Sequence, residues 1–114
     1  RSSFLRARRL GEEALAVNPN DPYTMMDLSW INAMLDDFDA AQSYIGRALQ
    51  SAPEDAYGYY YAALIAARMG NQDKALRLLE KATDAGYAPV LAAAEPHLAS
   101  LRNHPKFLEI VSDR

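Results

Sequence analysis

The amino-acid sequence predicts an all-α fold built from antiparallel helical hairpins, and three observations support that prediction. Alanine, the strongest helix former, is the most frequent residue, whereas glycine (5) and proline (6) are few among the 114 residues. The chain matches itself when it is shifted by about 34 residues, a period typical of two-helix repeats. Aspartate, proline and glycine stand where such helices would begin and end.

The self-similarity involves small residues, prolines and helix caps rather than scattered positions. The shift aligns Pro19 with Pro53 and Asp21 with Asp55. It also places alanine on alanine where packed helices must approach closely; the two rows are Ala7, Ala41, Ala75 and Ala14, Ala48, Ala82. Each hairpin has too little core to stand alone, so we expect neighbouring hairpins to stack and bury a continuous apolar surface.

Five helices follow from the local signals. Asp21 is a predicted N-cap, and Pro22 follows it in the first turn, where a backbone N–H has no intrahelical partner and its absence costs no hydrogen bond. Asp37 is the corresponding cap of the next helix, and Gly70 is a helix C-terminus signal. The predicted helices occupy residues 3–17, 22–35, 38–51, 56–69 and 72–85. The first of these is the second helix of a hairpin whose first helix is missing.

The recurring residues are a leucine and a small residue in the first helix of each pair, an aspartate and alanines in the second, and a closing proline. They are Leu28, Ser29, Phe38, Asp39, Ala41, Ala48, Pro53, then Ala63, Gly70, Asp73, Ala75, Ala82, preceded by Phe4, Ala7, Ala14 and Pro19. This pattern resembles the tetratricopeptide repeat (TPR) family over residues 4–86, with Asp36 in the place of the usual turn glycine. The resemblance implies a TPR-like right-handed superhelix whose first helices line a concave face.

We therefore expect a single TPR-like domain over residues 1–114, with a half repeat at 1–20, repeats at 21–54 and 55–87, and a C-terminal helical cap at 88–114. The tail leaves the repeat register, since Pro96 and Pro105 interrupt it. Short helices are predicted at 88–94 and 97–102, and a final helix from Pro105 has an apolar stripe formed by Phe107, Leu108, Ile110 and Val111. This stripe predicts that the tail folds back over the last hairpin.

Composition and charge exclude several classes of function. The chain has no cysteine, which removes disulfides and thiolate chemistry and leaves the compartment open, with a cytoplasmic location favoured. The net charge is −3, and the acidic residues concentrate between Asp21 and Asp55, so we expect no nucleic-acid binding by this domain. No apolar run has the roughly 20 residues of a membrane span, so no membrane partner is expected. Because the chain begins at Arg1 and has no leader, we expect it to be part of a longer protein.

The sequence offers no catalytic or metal-ligating constellation. His97 and His104 each stand beside a proline, and neither has a second ligand at the spacing of a metal site, so turn or cap roles are expected. Asp36, Asp37 and Asp39 lack the glycine and the final glutamate of a calcium loop, and capping explains Asp37 better. We also find no nucleophile elbow or phosphate-binding glycine loop. The sequence therefore predicts a non-enzymatic chain without a cofactor or metal.

The informative surface lies on the two first helices, over 22–35 and 56–69, which are apolar nearly all round. One stripe of the earlier helix, formed by Met25, Leu28, Asn32 and Leu35, is predicted to pack inside. The other stripes face the concave groove that the TPR resemblance implies. The candidate partner-binding residues are Tyr23, Met26, Asp27, Trp30, Met34, Tyr57, Tyr60, Tyr61 and Leu64. Tyrosine and tryptophan dominate binding hot spots, and Asp27 could pair with a basic residue of the partner.

Two functions follow as hypotheses. The first is a protein–protein interaction module that binds a partner peptide or helix in this aromatic groove, as the C-terminal part of a multidomain signalling or transcription-regulatory protein. The alternative is a structural module whose groove is filled intramolecularly and which forms a homodimer through the helix at residues 4–17.

Overall fold

The computed structural model describes residues 1–112, and in this range all regular secondary structure is helical, with no strand. Residues 113 and 114, the end of the predicted cap, lie outside the described residues. The α-helices are α1 Ser2–Val17, α2 Pro22–Met34, α3 Phe38–Ser51, α4 Ala56–Arg68, α5 Gln72–Asp84, α6 Pro89–Ala94 and α7 Pro105–Ser112, with a 3₁₀ helix at Pro96–Leu101 between the last two. The predicted helix positions are confirmed, and the predicted bounds differ from the observed ones by no more than one residue.

The chain divides into two compact units, residues 1–53 and residues from 54 onward. In the first unit, α2 packs against both α1 and α3. In the second unit, α4 packs against α5 to form a hairpin. The segment after this hairpin returns to it, because the 3₁₀ helix contacts α4 and α7 contacts both α5 and α6.

Four side chains cap the helices of the two hairpins. Asp21 accepts a hydrogen bond from the Tyr23 backbone N–H at 3.1 Å, and Asp55 accepts one from Tyr57 at 2.9 Å. Asp37 and Asn71 do the same for α3 and α5, each accepting from the third residue of the helix it precedes. Each such cap is typically worth about 1 kcal/mol. The predicted capping roles of Asp21, Asp37 and Asp55 are confirmed.

The turns that end α2, α4 and α5 share one hydrogen-bonding pattern. After α4, the Gly70 N–H donates to the carbonyl of Ala67 and the Asn71 N–H to that of Ala66. This is the paired pattern of a Schellman motif, which requires a left-handed residue at its centre. Gly70 supplies it with φ of 82° and Gly86 with φ of 114°, whereas Asp36 takes the same position in the first unit with φ of 63°. Aspartate tolerates this conformation better than most residues, which explains how it replaces glycine there.

The alanines expected where helices cross are fully buried. Ala41, Ala48, Ala63, Ala75 and Ala82 all have 0% exposure. Their small side chains allow α3 to lie close on α2, and α5 on α4. Gly11 serves α1 in the same way, since a Cβ atom added there would lie 2.8 Å from Cδ2 of Leu28 on α2.

Two glycine-to-alanine substitutions should change stability in opposite directions. Gly46 lies inside α3 with open space around it, so Gly46→Ala should raise the free energy of unfolding by about 0.5–1 kcal/mol. Gly70 has equally open surroundings, but its positive φ costs an L side chain about 1–2 kcal/mol, so Gly70→Ala should lower that free energy. Urea unfolding followed by circular dichroism measures both changes. Shifts of the same sign would contradict the assignment of a helix interior and a left-handed turn.

Candidate functional site

In the first unit, one face of α2 carries the predicted binding residues. Tyr23 is 52% exposed, Asp27 is exposed, and Trp30 and Met34 are half-buried. They follow one another at intervals of three or four residues, which places them along one side of the helix. This face offers two aromatic rings, a thioether and a carboxylate to a partner.

Met26 departs from the predicted set because it is only 1% exposed. The other stripe of α2 is buried as predicted, with Met25, Leu28, Asn32 and Leu35 all under 9% exposed. Because α2 is apolar on nearly every side, it buries more of its circumference than a single stripe. Met26 therefore belongs to the packed interior, and its side chain is not available to a partner in this structure.

Polar side chains inside α2 satisfy their hydrogen bonds within the first unit. Ser29, with 0% exposure, donates from its hydroxyl to the Met26 carbonyl at 2.6 Å. Asn32 donates from its amide to the Leu28 carbonyl at 2.9 Å, and its side-chain oxygen accepts a long bond from Arg8 on α1. These bonds remove the cost of burying the two polar groups, so neither points to a ligand.

The Asp27 carboxylate is electrostatically unfavourable in the isolated chain. Partial desolvation raises its pKa above the ordinary aspartate value, and the negative charge of Asp21 raises the pKa further. Asp21 is itself held by the α2 cap and by the Thr24 hydroxyl, which donates to it at 2.8 Å. A positive charge brought close to Asp27 would offset the repulsion from Asp21 and favour the charged form of the carboxylate.

In the second unit, α4 presents Tyr57 and Tyr61 but buries the other two predicted residues. Tyr57 is 57% exposed and Tyr61 is half-buried. Tyr60 and Leu64 are only 6% and 4% exposed. A partner can therefore reach Tyr57 and part of Tyr61 without any rearrangement of the chain.

The burial of Tyr60 has a specific cause in the segment that follows α5. The Tyr87 ring stacks on the Tyr60 ring at 3.9 Å between centroids with an interplanar angle of 14°. The Tyr60 hydroxyl donates to Oε1 of Glu95 at 2.9 Å. Tyr57 meets the edge of the same Tyr87 ring at 6.0 Å. At Tyr60 the aromatic face of α4 is thus covered by the chain itself.

Sequence reasoning did not identify Tyr87 and Glu95 as neighbours of Tyr60. Tyr87 stands 34 residues after Pro53, at the position of the repeat where Pro19 and Pro53 lie, and an aromatic ring at that position was the available signal. Glu95 precedes Pro96, and its carboxylate also caps the 3₁₀ helix by accepting from the His97 backbone N–H at 3.2 Å. The Arg102 side chain in turn donates to the Glu95 carbonyl at 3.2 Å. Glu95 is therefore fixed between Tyr60 and the turns of the tail.

Described residues of the second unit also form open concavities on other faces. One of about 450 Å³ is lined by Glu54, Tyr59, Lys81, Asp84 and Ala85. A smaller one of about 210 Å³ is lined by Asp73, Leu76, Arg77, Glu80, His104 and Lys106. In the smaller one Lys106 pairs with Glu80 at 3.0 Å, and this hydrogen bond raises the Lys106 pKa. Both concavities mix positive and negative side chains, so neither selects a ligand of one charge.

The described residues form neither a metal site nor a membrane-spanning helix. In residues 1–112 no three histidine, aspartate or glutamate side chains come together as a metal site. Nor does this range contain a helix with the length and apolar character needed to cross a membrane. The Nδ1 atom of His104 accepts from the Lys106 backbone N–H at 3.1 Å, which confirms the predicted turn role of this histidine.

The buried Tyr60 hydroxyl should make the free energy of unfolding fall at alkaline pH. Burial, and then hydrogen bonds with Tyr87 and Glu95, raise the pKa of its hydroxyl. The folded chain thus keeps a proton that the unfolded chain releases above a pH of about 10, and the free energy of unfolding falls as pH rises beyond that value. Tyr60→Phe should lower stability by about 1 kcal/mol at neutral pH and make the alkaline decline shallower.

Urea unfolding between neutral pH and pH of about 11 measures both effects of Tyr60→Phe. Tyr59→Phe on the same helix is the control, because Tyr59 lies outside the stacked cluster and should leave the alkaline decline unchanged. Parallel declines for wild type and Tyr60→Phe would show that this hydroxyl does not carry the effect.

No protein-family model, no curated protein and no solved structure matches the chain.

Proposed function

We propose that the chain is a non-enzymatic protein–protein interaction module that binds a partner peptide or helix through the aromatic faces of α2 and α4. The observation that carries the proposal is the exposure of Tyr23 and Tyr57. These tyrosines stand at the same position of two helices with the same aspartate cap, and both leave more than half of their surface in solvent. The exposed part of each ring is accessible to a partner.

Aromatic side chains suit this function because they bury a large area at a small cost in conformational entropy. Trp30 and Tyr61 extend the exposed tyrosines along their helices, and both are half-buried and so held in place by neighbouring groups. Met34 adds a flexible thioether that can adapt to the shape of a partner. Tyrosine and tryptophan are the residue types that contribute most to hot spots in protein interfaces.

The charge beside these rings indicates the chemistry of the partner. Asp27 lies on the same face of α2 as Tyr23 and Trp30, and its carboxylate is destabilised by desolvation and by Asp21. A lysine or arginine of the partner would gain from pairing with it. The partner segment we propose therefore combines an apolar or aromatic anchor with a basic residue nearby.

The finer architecture that we propose is a TPR-like array. Its support is the repetition of structural details at a period of about 34 residues: the Asp21 and Asp55 caps, the Asp36 and Gly70 turns, and the buried alanines of α3 and α5. Repeat arrays of this kind are extended binding surfaces, which agrees with the function proposed.

Binding can be tested with peptides selected from a displayed random library against the wild-type chain. Trp30, the one tryptophan in the sequence, lies on the α2 face, so its fluorescence can follow the titration of a selected peptide. Tyr23→Ala and Tyr57→Ala should each weaken binding at least about fivefold, because a hot-spot side chain contributes more than about 1 kcal/mol.

Tyr44→Ala is the matched control for these variants. Tyr44 is half-buried on α3 beside Arg47, outside the proposed surface, so its removal should leave the affinity unchanged. Selected peptides that bind all three variants as tightly as the wild type would contradict the proposal, and so would a selection that yields no binding peptide.

Asp27→Asn should separate stability from binding. Because folding raises the pKa of Asp27, the free energy of unfolding falls as pH rises above the ordinary aspartate range. Asp27→Asn removes this effect, so the variant should be slightly more stable than the wild type at neutral pH. The same variant should bind a selected peptide with a basic residue about two- to fivefold more weakly. Thermal unfolding and the Trp30 titration measure the two effects. Unchanged affinity would remove Asp27 from the binding surface.

A further inference from the structure

A histidine caps the tail helix α7. The Nδ1 atom of His104 accepts a hydrogen bond from the Lys106 backbone N–H at 3.1 Å, and Pro105 stands between the two residues. The His104 carbonyl accepts the first hydrogen bond of the helix, from the Leu108 backbone N–H at 3.1 Å. These are the two bonds of an N-cap residue, whose side chain binds the second or third N–H of the helix that it precedes. His104 is therefore the N-cap of α7.

The caps of the hairpin helices α2 to α5 differ from this one in their chemistry. They are the carboxylates of Asp21, Asp37 and Asp55 and the amide of Asn71. An aspartate carboxylate ordinarily keeps its charge above about pH 5, and an amide does not titrate. Histidine instead changes charge between about pH 5 and pH 8. Among these five N-caps, His104 is the one whose side chain ordinarily titrates near neutral pH.

Protonation of the imidazole removes the cap. In the neutral ring one nitrogen donates and the other accepts, whereas both nitrogens of the charged ring donate. The charged ring of His104 could no longer accept from the Lys106 N–H. It would also bring a positive charge to the helix N-terminus, which is the positive end of the helix dipole. Both effects weaken α7.

The contacts of α7 make it sensitive to the loss of a single cap. Its described part, Pro105–Ser112, has eight residues, and an isolated helix of that length is marginal in water. It is held by packing on α5 and α6, where Phe107 and Ile110 are 2% and 1% exposed. The Lys106 ammonium adds a pair with Glu80 of α5 at 3.0 Å. Docking of α7 thus depends on few groups.

The charges around His104 do not supply a net partner for a charged imidazole. The concavity beside it is lined by two acidic and two basic side chains, which are Asp73, Glu80, Arg77 and Lys106. Lys106 is held by Glu80 and, at 3.6 Å, by Glu109. Arg102 donates to the Glu95 carbonyl, and α6 carries no charged residue. Because the lining charges sum to zero, the lost cap determines the effect of protonation.

We propose that His104 is a pH-sensitive cap that loosens α7 from α5 as pH falls from about 7.5 to about 5.5. At the upper pH the neutral ring keeps its proton on Nε2 and accepts at Nδ1. At the lower pH the protonated ring leaves the Lys106 N–H without its acceptor, and the equilibrium shifts toward a state in which Phe107 and Ile110 are exposed. The stability that the cap supplies is present above this range and is lost through it. The proposal does not depend on the binding surface of α2 and α4.

Amide hydrogen exchange followed by NMR measures this loosening. The exchange of the Ile110 amide on α7 is compared with that of Leu79 on α5, after correction for the intrinsic exchange rate at each pH. In the wild type, the protection of Ile110 relative to Leu79 should fall about three- to fivefold between about pH 7.5 and 5.5, because the loss of one N-cap typically changes an equilibrium by about that factor.

Three variants separate the cap from other effects of pH. His104→Asn keeps a capping side chain that does not titrate, so the relative protection of Ile110 should be the same at both pH values. His104→Ala should lower that protection at about pH 7.5 to the level that the wild type reaches at about pH 5.5. His97→Asn is the matched control, since His97 is the other histidine of the chain and precedes the 3₁₀ helix interior, and it should retain the wild-type decline.

Equal declines in the wild type and His104→Asn would overturn the proposal. A wild-type protection that stays constant or rises as pH falls would also overturn it, since a rise would mean that Asp73 and Glu80 stabilise the charged ring. Long-range ¹H–¹⁵N spectra of the wild type provide a test that needs no variant. At about pH 7.5 they should show the His104 proton on Nε2, and a proton on Nδ1 would contradict the proposed cap.

Discussion

The close approach of helices within each hairpin is the constraint on which the rest of the structure depends. Ala41 and Ala48 let α3 lie close on α2, and Ala75 and Ala82 do the same for α5 on α4. Because the second helices approach so closely, the first helices bury one broad side almost completely. The larger aromatic residues of α2 and α4 must then lie on the remaining side or pack against other elements. The proposed binding surface is what the hairpin geometry leaves in solvent.

The aromatic faces of α2 and α4 differ in how much of each the chain itself covers. On α4 the tail covers part of the face, since Tyr87 stacks on Tyr60 and Glu95 accepts the Tyr60 hydroxyl. This contact satisfies a buried phenol and fixes the start of the tail, while Tyr57 stays more than half exposed at the edge of the cluster. On α2 the exposed side combines Tyr23 and Trp30 with the Asp27 carboxylate, whose pKa is raised by partial desolvation and by the charge of Asp21. The chain itself thus covers part of the aromatic face of α4, whereas Tyr23 on α2 and Tyr57 on α4 remain accessible.

The helices and their caps could be predicted from sequence because their determinants are local. Asp37 lies within three residues of the N–H it caps, and the left-handed turn at Gly70 needs only the glycine itself. The binding face was harder to predict, because α2 and α4 are apolar nearly all round and their periodicity does not single out one exposed side. For that reason the sequence placed Met26 and Leu64 on the binding face, although both side chains are buried in the structure. The cover on Tyr60 depends on Glu95, a contact 35 residues away in sequence that no local pattern encodes.

The proposed contact of a protein partner with the aromatic faces of α2 and α4 is tested most directly by mapping where a bound peptide lies. Isotope-edited NMR can record intermolecular NOEs between a library-selected peptide and individual aromatic rings of the labelled chain. We expect NOEs to Tyr23, Trp30, Tyr57 and Tyr61, and none to Tyr44 on α3. NOEs confined to α6 and α7, or to Tyr44, would contradict it.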